Sequence, residues 1–120
     1  MPLSAYAFAF LLTAQQPAAP ITDWREAVQC LAVFESTAIA LYRQHQSAPD
    51  AGHDQAANRW DDMAFSLVES MNDELSLNQG VEAERIRAAR AAELAGQDVA
   101  ALLAQAETCR QRLPDPPRLP

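Results

Sequence analysis

Few side chains in this 120-residue chain are suited to chemistry: Cys30 and Cys109, His45 and His53, and a set of carboxylates of which Glu35 is the most unusually placed. The two cysteines lie far apart and form no Cys-x-x-Cys pair, so neither a dithiol redox motif nor a zinc-ribbon ligand set can be assembled from them. An even pair suggests one disulfide, and a bridge closing roughly 80 residues restricts the unfolded chain by about 4–5 kcal/mol. The alternative is two buried thiols behaving as small apolar side chains. His45 and His53 stand eight positions apart across Pro49 and Gly52, with Asp50 and Asp54 beside the second. That spacing across a loop matches no compact zinc pattern, so both read as solvated loop residues and no metal is expected.

Glu35 falls within an apolar helical stripe, flanked on the wheel by Trp24, Val28, Leu31 and Tyr42. A buried carboxylate must be paired or protonated. Glu35 is therefore an acid–base or pH-sensing group, the partner of an arginine on the third or fourth helix, or a residue at the stripe's wet edge. Glu74 sits similarly near the end of the second helix. The neighbours Asp61 and Asp62, like Asp73 and Glu74, point to different helix faces and suit no joint catalytic role. Metalloprotease, phosphate-loop, dinucleotide-turn, nucleophile-elbow and EF-hand patterns are all missing from the sequence. The reading is a non-enzymatic chain with no catalytic residues and no cofactor.

The elements that must position these residues are helices. Alanine fills 25 of the positions and glycine three, a composition that favours helix over a β-sandwich. Asp23 and Glu26 have capping-box spacing, and Trp24, Ala27, Val28, Leu31, Phe34, Ala38, Leu41 and Tyr42 define one amphipathic stripe ending near Gln46. Pro49, Asp50 and Gly52 break the chain. A second stripe, Ala56, Trp60, Met63, Ala64, Leu67 and Met71, runs toward Leu75, and Gly80 ends it or separates it from a third, peripheral helix over 81–95. That helix shows a thin stripe of Val81, Ala88 and Ala92. Gly96 stops it, Asp98 caps a fourth helix bearing Val99, Leu102, Leu103, Ala106, Cys109 and Leu113, and Pro114 ends that one. Cys30 and Cys109 can then face a shared interface. The expected fold is all-α, a small antiparallel bundle of three to four helices over residues 23–113, with a disulfide joining the first to the last. A proline-rich tail, 114–120, is expected to be extended and disordered.

Residues 1–20 carry no charged side chain, and Leu3–Ala14 is an apolar run about a dozen residues long. It is too short to span a bilayer but has the length of a signal-peptide core. Residues 1–14 are therefore expected to form a leader cleaved after Ala14, or later at Ala18 or Ala19, with 15–22 an extended linker. The alternative is an N-terminal helix kept in the fold. Export to the periplasm agrees with a disulfide.

A net charge of −7 argues against nucleic-acid partners and stable association with an anionic membrane, and makes any charged protein partner a basic one. All nine cations are arginine, the planar forks suited to carboxylate pairing. Phe65 projects away from the second stripe, alongside Asp61 and Glu69. Either the second helix is buried on two sides or Phe65 anchors a partner or a homodimer. The layout of Trp24, then Cys30-Leu-Ala-Val-Phe-Glu-Ser36, then Cys109 in a last helix resembles small secreted two-cysteine helical proteins of bacterial envelopes. More distantly it is similar in plan to HdeA-type periplasmic acid-stress chaperones. The reading is an exported binding or interaction module acting through an apolar helix surface; the alternatives are an acid-responsive chaperone, which the HdeA-type resemblance implies, and an inhibitor or immunity protein for a basic envelope enzyme, which the acidic charge suits.

Overall fold

The computed structural model of the chain describes residues 18–120. The expected leader, 1–14, and the first part of the linker lie outside the described residues. Four helices follow in order: α1 (Trp24–Ser47), α2 (Ala51–Glu74), α3 (Leu77–Leu94) and α4 (Val99–Arg112). Each begins on a residue whose side chain accepts from a free backbone N–H of the first turn: Asp23, Asp50, Ser76 and Asp98.

The box expected at Asp23 and Glu26 does not form: Asp23 Oδ1 accepts from Arg25 N–H rather than Glu26 N–H, and the Glu26 carboxylate turns to Arg112, 2.5 Å away. The complete capping box is at Ser76 and Gln79, where the Ser76 Oγ accepts from Gln79 N–H and the Gln79 Oε1 accepts from Ser76 N–H. That box starts α3 four residues earlier than expected and places Gly80 inside the helix rather than at a break. Gly96 is the stop anticipated for α3: its φ of +83° lies in the left-handed region that glycine reaches without strain.

Paired residues fix the directions. Phe34 stacks on Trp60 with centroids 5.7 Å apart and Tyr42 donates to Asn58, so α2 runs against α1. Arg25 pairs with Glu82 and Glu35 with Arg87, so α3 runs with α1. Cys30 is bonded to Cys109, Cα atoms 5.6 Å apart, and Ile21 N–H donates to the Arg112 carbonyl, so α4 runs against α1. The bundle is up-down-up-down, all-α, with its first and last helices joined by the disulfide.

It is not built as four equal partners. α1 packs against each of the other three, while those three touch one another sparsely. Five consecutive residues of α1, Cys30 to Phe34, are buried, and five residues pass right round a helix. The single stripe expected for α1 is thus a full apolar girdle, the signature of a central helix. Thr37, fully buried, satisfies its hydroxyl by donating to the Val33 carbonyl at 2.7 Å.

Two further expectations are corrected. On α3 the buried line is Ala83 and Leu94 with half-buried Ile86, Arg87 and Arg90, whereas Val81, Ala88 and Ala92 face outward. Tail residues 114–120 form no helix, but they are docked: Pro117 and Leu119 are buried, and Leu119 N–H donates to Ser70 Oγ at 2.9 Å. The core likewise begins before residue 23, at buried Ile21.

Candidate functional site

α2 has two flanks either side of the line Ala57, Trp60, Ala64, Leu67 and Met71 that it buries on α1. Arg59, Met63, Ser66 and Ser70 recur at helical spacing on one flank, and the docked tail covers that flank through Asp115, Pro116, Pro117 and Leu119. Phe65, Val68 and Asn72 recur likewise on the other flank. No segment of the described chain covers that side. Its lower part opens into a trough of about 640 Å³ between α2 and α3, lined by Met71, Asn72 and Leu75 on one wall and by Leu77, Gly80, Val81, Glu84, Arg85 and Ala88 on the other.

The trough is apolar where apolar residues are least expected. Leu77 is 86% exposed, Phe65 63% and Val81 49%; with Ile39 on α1 they are the large hydrophobic side chains left open among the described residues. Of the two alternatives for Phe65, the structure places it in the open. Asp61 and Glu69 are exposed beside it, as expected for that face. Sequence reasoning missed Leu77 and Val81. Leu77 lies just past the end that the sequence suggests for α2, and the thin alanine stripe puts Val81 on the buried side of α3. The Ser76–Gln79 box was the available signal for the true start of that helix.

The electrostatics are one-sided. Residues 60–84 contain seven acidic side chains and no basic one. Glu82 and Glu84 are neutralised by Arg25 and Arg87, but Asp61, Asp62, Glu69, Asp73 and Glu74 take part in no ion pair among the described residues. Asp61, Asp62, Asp73 and Glu74 are all exposed, so Glu74 does not occupy the semi-buried position expected from the wheel.

Glu35 resolves to the second of its three alternatives. It is bound by Arg87 of α3 through both oxygens, with the Nε to Oε1 distance 2.7 Å, and each side chain is 29% exposed. Glu84 holds the same guanidinium at 3.1 Å. The hydrogen bond to Glu35 raises the Arg87 pKa above its ordinary range, and the Glu35 charge adds to it against the opposing effect of burial. A fork clamped between two carboxylates is a structural tie, not a proton donor. His45 Nδ1 accepts from Asp50 N–H at 3.0 Å and so ties the α1–α2 turn, while His53 Nδ1 is buried without a partner at the start of α2. No group of three or more metal-ligating side chains gathers among the described residues, and no described helix is long and apolar enough to cross a membrane.

Comparison with protein-family models, curated proteins and solved structures gave no match.

Proposed function

We propose that the chain is an exported, disulfide-stapled interaction module that binds another protein through the open flank of α2 and the adjoining α2–α3 trough. The observation that carries this reading is the exposure of Phe65 on the uncovered α2 flank and of Leu77 and Val81 in the trough, in a small domain that covers its other α2 flank with its own tail. The Cys30–Cys109 bond supports export to an oxidising compartment, which we take to be the periplasm. A photo-crosslinking amino acid at position 65 or 81, in cells, is expected to yield protein adducts, and one at exposed Gln111 on α4 is not. Equal labelling from all three positions, or none from 65 and 81, rejects the reading. Intact mass of the native protein before and after reduction tests export: a shortened chain lacking two hydrogens is expected, and a full-length chain with two free thiols overturns it.

An acid-responsive chaperone is the second reading, favoured by how α3 is attached. Ala83 and Leu94 are its fully buried side chains, and much of its tie to α1 comes from Glu35–Arg87 and Glu82–Arg25. Protonating those carboxylates frees α3 and bares apolar surface on α1 while the disulfide retains α4. Binding of an apolar dye that rises on acidification is the expected outcome, and a flat response removes this reading.

A further inference from the structure

We propose that the Cys30–Cys109 bond is a modification site, opened by a small thiol that bears a carboxylate and becomes bonded to Cys109. The bond lies against a cleft of about 190 Å³ where α1, α3 and α4 meet, and both half-cystines line it. They are not equally open. Cys30 is 4% exposed, whereas Cys109 is half-buried, so a thiolate entering the cleft meets the Cys109 sulfur. The cleft is smaller than the roughly 300–1,000 Å³ of a pocket for a drug-sized ligand, which suits it to a thiol of a few heavy atoms.

The charged side chains lining the cleft are Glu26, Arg90 and Arg112. Arg112 and Glu26 pair with each other and cancel. Arg90 remains as the excess cation: it donates to Gln105 on the α4 wall, and its carboxylate partner Glu93 is exposed and outside the lining. An exposed pair of that kind neutralises little. The cleft is thus locally positive in a chain of net charge −7. Partly exposed, electropositive surroundings are those in which cysteine sulfur reacts, and a guanidinium is a ready partner for the carboxylate of the incoming thiol.

The step is a thiol–disulfide exchange. The thiolate R–S⁻ attacks the Cys109 sulfur; as the R–S–Cys109 bond forms, the bond to Cys30 breaks and its electron pair leaves on the Cys30 sulfur, which takes a proton from solvent. The incoming thiol is oxidised into the mixed disulfide and Cys30 is reduced, so no further oxidant or reductant enters. α4 then holds α1 without a covalent tie, through packing and the Ile21 N–H bond to the Arg112 carbonyl. Nothing in this step depends on the α2–α3 trough or on its occupant.

The test treats the oxidised native protein with mercaptoacetate or with cysteamine, quenches with acid at early times and locates the mixed disulfide in peptic fragments by mass. The adduct on Cys109 is expected to exceed that on Cys30 by about tenfold or more, while in denaturing urea the two sulfurs are modified alike. Dividing each thiol's rate on the native protein by its rate on the urea-denatured chain removes the thiol's intrinsic reactivity. On that scale mercaptoacetate is expected to exceed cysteamine by about threefold or more, the reverse of the order that the net charge of −7 alone would give. Arg90→Gln is expected to abolish this preference with the circular dichroism unchanged, and Glu93→Gln, at an exposed position, to preserve or widen it. Equal adducts on Cys30 and Cys109, adducts that form only as fast as the whole chain unfolds, a preference for cysteamine, or a preference that R90Q leaves intact each overturns the proposal.

Discussion

Replacing Cys30 and Cys109 with alanine opens a covalent loop of 79 residues and leaves α4 to hold α1 by packing alone. The chain-entropy relation for a loop of this length assigns the bridge about 4–5 kcal/mol, acting through the unfolded ensemble. The packing that remains is modest. Leu102 and Leu113 are the large side chains buried from this end of the molecule, contributing about 2–3 kcal/mol each by area before any entropy is subtracted, with Ala106 adding less. Against a total stability of about 5–15 kcal/mol for a domain this size, the bridge is a large fraction. The thermal midpoint should therefore fall by about 16–40 °C, at roughly 4–8 °C per kcal/mol. Far-UV circular dichroism melts of the oxidised protein, the reduced protein and the double alanine variant measure it. The last two should agree, since alanine keeps the small apolar volume that buried Cys30 occupies. A fall of about 1 kcal/mol or less in both would refute the reasoning, because α4 would then be ordered independently of the constraint.

Phe65→Ser should change stability by less than about 0.5 kcal/mol because the ring is exposed, whereas Phe34→Ala, which empties the space beneath Trp60, should cost about 3–5 kcal/mol; urea melts of the two distinguish them. Arg87→Gln should cost about 1–2 kcal/mol and raise hydrogen exchange in α3 before α2 or α4. Because the Arg87 pKa is raised, its stabilising contribution is present at all pH values below the ordinary arginine range and is lost only as pH rises through the folded value in strong alkali. Two glycines predict opposite signs. Gly80→Ala adds a methyl group where nothing lies within 4 Å, inside a helix, and should stabilise by about 0.5–1 kcal/mol; Gly96→Ala, at φ +83°, should destabilise by about 1–2 kcal/mol, both read from thermal melts. Leu119→Ala should cost about 2 kcal/mol and make the tail susceptible to carboxypeptidase, an outcome a free tail would not give.

Much of the fold was legible because capping chemistry is local. Asp23, Asp98, Pro114 and Gly96 mark ends whose reasons lie within a few residues, and the pairing of Cys30 with Cys109 followed from two cysteines on facing stripes. What was not legible depended on competition between equally plausible faces. On α3, alanine and arginine occur all round, so no stripe stands out, and two arginine stems rather than Val81 ended up half-buried against the core. Gly80 signalled a break that the Ser76–Gln79 box overrode. In α1, the apolar run from Cys30 to Phe34 could be read as one face with outliers, and its full burial became evident only once three neighbours were in place. The tail escaped notice because proline removes backbone donors without preventing Pro117 and Leu119 from burying their side chains. For the candidate site, Phe65 was visible as an outlier on its helix. Leu77, Val81 and the uncovered flank depend on where the other segments pack, which no window of sequence contains.

The central position of α1 also constrains the order in which the molecule can be made. Chains emerge N-terminus first, so the most apolar helix is synthesised before any segment that covers it, and the half-cystine at Cys30 waits for 79 further residues before its partner exists. Until α4 is complete, the girdle from Cys30 to Phe34 can be covered only by α2 and α3, and the side that takes α4 stays open. A chain stalled short of Cys109 should therefore be extractable, protease-sensitive and prone to aggregate.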